Sequence, residues 1–242
     1  MKTHALILCL ILLASNLIAQ VPLCTDFHFA KNFKTDLNGD GKKDNIILID
    51  TKETGKFTLK VNNKAIDGKL SAEIDGFIVV DIDTTDKYKE IAVHTPGESD
   101  DDEYLVYWYD GKEIKEMGYL TRWPDFKGDG TIIVGDWMGF WTKWDKYVLD
   151  AESRKIILVP QEIYAVNEEG TVREPFSIYK SKSETEIVEI LIPSTRIQIL
   201  TCAFSGGNYL SDWYLIRTSN NLIGWARLES FYDKVDGLHW AD

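Results

Sequence analysis

Histidine and cysteine are scarce in this chain, four and three among 242 residues, and their placement removes most metal and thiol chemistry from consideration. His28, His94 and His239 lie beyond the N-terminal stretch, and none stands at a metal-ligand spacing from another His or a Cys. Cys24 and Cys202 lack the surroundings of a thiol nucleophile. Basic residues are in deficit, 27 Lys and Arg against 39 Asp and Glu for a net charge of −12. Nucleic acid and anionic membrane need clustered cations to displace counterions, which argues against both as partners. There is no G-x-S-x-G elbow, no G-x-x-x-x-G-K phosphate loop and no sustained helical apolar period. Past the N-terminus no apolar run reaches the roughly 20 residues of a membrane span, so the chain is not read as an integral membrane protein.

What is present begins with Lys2 and His4, an unbroken apolar run from Ala5 to Leu13, and a small residue at Ala19. That order is the order of a secretory signal, with cleavage expected near Ala19 and export to the periplasm, the exterior or the cell surface. Cys9 falls inside it. In an oxidising compartment Cys24 and Cys202 either pair or stay as buried thiols, and spacing does not choose between them.

The remainder is dominated by strand signals. β-Branched and aromatic runs such as Asn45 to Ile49, Phe57 to Val61, Phe77 to Val80, Tyr104 to Tyr109 and Tyr147 to Leu149 are separated by Gly, Asn and Asp turns. Asn62-Asn63 and Asp110-Gly111 sit where hairpin turns sit. The fold class is all-β. Three acidic turns recur, opening at Asp36, Asp81 and Asp125, 45 and 44 residues apart, and each feeds a strand. Such a period is that of a propeller blade or similar β-repeat. Past Pro160 the acidic turns stop. Asn167 to Gly170 read as a polar linker, dividing a repeat domain (20–166) from a C-terminal domain (172–242).

The first turn carries the clearest chemistry. Asp36, Asn38, Asp40 and Asp44 place side-chain oxygens at positions one, three, five and nine, with Gly39 and Gly41 between them and the Lys42 carbonyl at position seven. Hard cations take six to eight oxygens, so the expected cofactor is Ca2+; the other reading is an Asx-rich turn that bonds its own backbone. The second turn offers Asp81, Asp83, Asp86 and Glu90 with one residue inserted; the third has Lys127 and Ile133 at ligand positions and is assigned no metal.

In these turns the sequence resembles the FG-GAP or VCBS calcium-binding β-repeats over about residues 33 to 150. The resemblance implies propeller-blade-like repeats stabilised by calcium. From Phe176 to Phe231 the order of features resembles a bacterial SH3-type domain, most specifically in the hairpin WYLIRTSNNLIGWARLESF. It implies a small SH3-like β-barrel binding cell-wall glycan or peptide. Tyr179 and Tyr214 are then the groove candidates, and Trp213 is assigned to the core. Trp137, Phe140, Trp141, Trp144 and Tyr147 form an aromatic patch read as core filling rather than a sugar platform.

These features give a secreted or envelope-associated, non-catalytic binding protein. Two other readings are a carboxylate-dependent glycan hydrolase using residues such as Asp81, Asp83 and Glu103, and a structural or inhibitory envelope protein with no small ligand.

Overall fold

The computed structural model describes residues 29–51, 53–97 and 101–240. The expected signal (1–19), Cys24 and His28 lie outside them. The described chain is all-β and antiparallel throughout. Three consecutive four-stranded meanders come first. The first is β1 (Asn32–Thr35), β2 (Asp44–Asp50), β3 (Lys56–Val61) and β4 (Lys64–Lys69). The second is β5 (Gly76–Val80), β6 (Glu90–Thr95), β7 (Glu103–Tyr109) and β8 (Ile114–Thr121). The third is β9 (Asp125–Phe126), β10 (Thr131–Trp137), β11 (Thr142–Asp150) and β12 (Lys155–Leu158). A seven-stranded sheet follows, made of β13 (Ile163–Val172), β14 (Phe176–Tyr179), β15 (Ile187–Leu191), β16 (Arg196–Ala203), β17 (Trp213–Thr218), β18 (Ile223–Arg227) and β19 (Val235–Asp236). Its order is β15-β14-β18-β17-β16-β13-β19.

The 45-residue period is thus a structural unit, and each acidic turn joins the first strand of a meander to its second. Alternation decides which face is buried: Ile46 and Leu48 of β2 and Phe57, Leu59 and Val61 of β3 point one way, onto Phe77, Ile91, Val93, Leu105 and Tyr107 of the second meander. The opposite face of the second meander packs through Ala92, Tyr104, Val106 and Met117 on Ile132 and Val134 of the third. The middle sheet is covered on both faces, and all six residues of β6 are buried. Asn62 adopts a φ of 55° in the β3–β4 turn and Gly111 a φ of 92° in the β7–β8 turn, so both expected hairpins form.

Two expectations about the C-terminal half need correction. Asn167 to Gly170 are not a linker; they lie within β13, which pairs with β16 from Ile163 to Thr171 across a bulge between Ala165 and Glu168. Asn167 has a φ of 59° there, and its polar neighbours face outward along a strand whose other side buries Tyr164, Val166 and Val172. The aromatic patch is split. Phe140 and Trp141 are buried, but in the core of the seven-stranded sheet rather than of the repeats, while Trp137 and Trp144 are exposed and Tyr147 packs partly against the third meander. Trp141 Nε1 donates to Tyr214 Oη at 3.2 Å, and Phe140 packs on Trp240 with ring centroids 4.9 Å apart.

A boundary at residue 172 therefore cuts through β13 and removes three aromatic side chains, Phe140, Trp141 and Tyr164, from the core. Segment 172–242 expressed alone should show neither a cooperative melt nor near-ultraviolet dichroism, whereas the full chain shows both; a cooperative melt of the segment would refute this.

Candidate functional site

Two regions collect the residues singled out by sequence: the row of acidic turns, and the outward face of the seven-stranded sheet. The turns lie side by side. Lys89 N–H, just before β6, donates to Leu37 O at 2.9 Å; Gly130 N–H, just before β10, donates to Ile82 O at 2.8 Å. Thr84 N–H further bonds Gly128 O at 2.9 Å, and Asp83 bridges to Asp129.

In the first turn the oxygens are turned largely onto the loop itself. Asp36 Oδ1 accepts from the N–H groups of Asn38, Gly39 and Asp40, its Oδ2 from Gly41, and Asn38 Oδ1 from Asp40. Although desolvation opposes it, this set of backbone donors holds the Asp36 carboxyl below the usual range, led by Gly41 and Gly39. Gly39 and Gly41 take φ of 69° and 82°, which lets their amides point inward. Asp44 faces away from the turn's exterior: it is buried, its Oδ2 accepts from Leu37 N–H at 3.0 Å and its Oδ1 from Asn62 Nδ2 at 2.7 Å. Asp40 and Lys42 are exposed, and Asp40 Oδ1 accepts from Lys42 N–H. Among the described residues no three His, Cys, Asp or Glu side chains gather as a metal-holding group.

The second turn already holds a cation. Arg154, reaching over from the β11–β12 turn, donates to Asp86 Oδ2 at 2.6 Å and Glu90 Oε1 at 2.7 Å, with its guanidinium 5.0 Å from the Tyr88 ring centroid and 5.4 Å from that of Trp108. The set Asp81, Asp83, Asp86 and Glu90 is therefore not an open calcium cage. Glu90 repeats the role of Asp44, accepting Ile82 N–H at 3.1 Å. Burial pushes its carboxyl up to about 7, against the pull of Ile82 N–H and Arg154, and Asp86 and Asp81 push it further. In the third turn Lys127 pairs with Asp125. Arg154 carries no spacing signal in the sequence, so its arrival could not be read there.

The carboxylates named for glycan hydrolysis are not brought together. Glu103 pairs with Thr95 at the far end of β6 from Glu90, which pairs with Val80 beside Asp81. The two ends of the six-residue β6 are five residue steps apart, roughly 17 Å at about 3.3 Å per residue. Cys202 is buried, and burial pushes its thiol up to about 12. Its pairing with Cys24 falls outside the described residues. His94 is also buried, with Nδ1 2.7 Å from Asp75 Oδ1, Nε2 2.8 Å from Asp102 Oδ1, and its ring stacked on Phe29 at 3.9 Å. It fastens the strand ends around it.

On the seven-stranded sheet the assignment of Trp213 and Tyr214 is reversed. Tyr214 is fully buried among Trp141, Phe140 and Phe231, so it lines no groove; Trp213 is half-exposed on the outward face. Adjacent strand residues alternate faces, so the error is one of parity. Tyr179 is half-exposed as expected. It lies in an outward row that crosses the sheet from strand to strand: Ile187, Tyr179, Trp225, Leu215, Thr201 and Ala165. Lys182 lies 5.5 Å from the Trp225 ring centroid and Arg227 5.0 Å from that of Trp213.

The Glu90 carboxyl gives a pH test. Its folded value of about 7 stands above its ordinary 4.5, so the stability it contributes is complete below pH 4.5 and is lost as pH rises through 7. From about pH 5 to about pH 8 the wild type should lose on the order of 2 kcal/mol, and Glu90→Gln distinctly less. Denaturant melts of both proteins across that range check this; equal slopes would refute it. No protein family, curated protein or solved structure matches this chain.

Proposed function

We propose that the protein is a non-catalytic, exported binding protein of the cell envelope, whose ligand, a cell-wall glycan or peptide, lies on the outward face of the seven-stranded sheet. The observation that carries this reading is the row Ile187, Tyr179, Trp225, Leu215 and Thr201, with Trp213 beside it. Rigid aromatic faces beside cations suit sugar rings and extended peptides alike. The strand order lends support to the SH3-type resemblance: a long first strand, a hairpin, a three-stranded meander, a 3-10 turn at Leu228–Ser230, and a short last strand returning to the first. The separation of Glu103 from Asp81 and Asp83 speaks against the hydrolase reading as it was drawn.

Purified wall material should retain the full-length protein without release of soluble product. Trp225→Ala and Trp213→Ala should each lower retention by about tenfold or more, while the melt stays cooperative. Retention unchanged in both variants would overturn the face, and soluble product would overturn the non-catalytic assignment.

Calcium is a second reading, confined to the first turn, and one comparison favours it. Arg154 neutralises the second turn and Lys127 the third, whereas among the described residues no basic side chain pairs with Asp36, Asp40 or Asp44. Asp36, Asn38, Asp40 and the Lys42 carbonyl would hold the ion, with water completing the shell, and the ion would supply the missing positive charge. Calorimetry should register calcium binding that Asp40→Ala largely abolishes, and calcium should raise the melting temperature. A silent titration together with a melt unmoved by chelator would dismiss the ion.

A further inference from the structure

Between the first and second meanders lies an open cleft of about 780 Å3, within the range of about 300–1,000 Å3 usual for small-molecule sites. Strands β3 and β4 and the β2–β3 turn form one wall, and Leu105 and Glu116 stand on the other. Phe57 and Leu105 give the cleft its apolar surface. Gly68 lies on the first wall, and a Cβ there would come within 2.3 Å of the Phe57 ring and 2.5 Å of Tyr107 Oη, so any side chain would displace both. The Tyr107 hydroxyl thus ends against the cleft wall, where it is buried without a hydrogen-bond partner. A buried donor in that state calls for an explanation, and an oxygen of a bound molecule beside Gly68 would give it an acceptor.

Two charges of opposite sign are left over, one on each wall. Lys56 and Lys69 stand directly opposite each other in the β3–β4 ladder, and like charges so placed destabilise a strand pair. Glu53 pairs with Lys56 and feels Lys69 only through space, while Asp67 accepts from Thr58 Oγ1 at 2.7 Å. Among the described residues Lys69 therefore has no hydrogen-bond or ion-pair partner. On the facing wall Glu116 stands across from Tyr107 in the β7–β8 ladder and shares its face. Lys155 bonds the Glu116 backbone carbonyl rather than the carboxylate, and Lys115 pairs with Glu113, so the Glu116 carboxylate is unpaired as well. A cation and an anion on facing walls match a molecule with opposite charges at its two ends; a neutral or purely anionic ligand would leave one of them bare. We propose that the cleft binds a short peptide with free ends and apolar side chains, its carboxylate on Lys69, its ammonium on Glu116 and its side chains on Phe57 and Leu105. This is a second site, and none of its residues belongs to the seven-stranded sheet.

The test is calorimetry of the full chain with the dipeptide Leu-Leu. Binding should saturate, and it should weaken by about tenfold or more when the amino end is acetylated or the carboxyl end amidated. Lys69→Ala should weaken the free dipeptide to a similar degree and erase the difference between acid and amide; Glu116→Gln should do the same for the free and acetylated amino ends. Both positions are exposed, so the melts of these variants should match the wild type. Tyr107→Phe should weaken binding without lowering the melting temperature, since removing an unpaired hydroxyl costs the fold nothing. Absence of saturable binding, or binding indifferent to the end groups or to these variants, would overturn the proposal. The Trp225→Ala variant separates this site from the sheet face: it should bind the dipeptide as the wild type does, and loss of dipeptide binding there would place the peptide on the sheet and overturn the cleft.

Discussion

The repeat region depends on one buried contact made twice: a carboxyl at the first position of a meander's second strand accepts the N–H of the apolar residue that follows the opening Asp of the acidic turn. Asp44 does this for Leu37 and Glu90 for Ile82. Both acids are buried, 5% and 1% exposed, and the two apolar residues are wholly buried. A buried amide left without its acceptor would cost the full desolvation of the group, which makes losing either contact costly. Holding Leu37 and Ile82 in this way leaves their carbonyls free to accept the amide of the next turn, which sets one meander's register on its neighbour. The third repeat has Thr131 at the acid's position, and no fourth meander follows it.

That contact also explains how much of the acidic motif was legible. Period, strand class and turn positions follow from composition and alternation, because they are local. The meaning of the ninth position is not local. Asp44 looks like a metal ligand by spacing, yet its direction is set by Asn62 from the β3–β4 turn and by the buried Leu37 amide. Arg154 is further out of reach, because it arrives from a turn 64 residues beyond Glu90. Trp213 and Tyr214 were misassigned for a smaller reason: two adjacent aromatics in a strand must take opposite faces, and nothing nearby says which. The bulge in β13 misled in the same way, since polar residues that bend a strand and polar residues that form a linker have one composition.

An acidic protein must place its few cations with care, and here they mark the seams. Arg154 ties the third meander to the second. Lys143, buried to 8% exposure, faces Asp145 at 3.0 Å and the Phe204 ring at 4.5 Å, while Asp145 accepts from Tyr164 Oη on β13 at 2.8 Å. Exposed pairs such as Lys180 with Glu186 contribute little by comparison.

The placement of Phe140 and Trp141 in a distant core also bears on how the molecule is made. Chains are synthesised from the N-terminus, so this hairpin is complete well before the sheet that receives it. Its last neighbour is Trp240, at the very end of the described residues, packed at a tilt on Phe140. A chain that stops early leaves two large apolar rings in water, the kind of exposed surface that invites aggregation and attracts chaperones and proteases. Covering these rings thus has to wait until the strands of the seven-stranded sheet have been made.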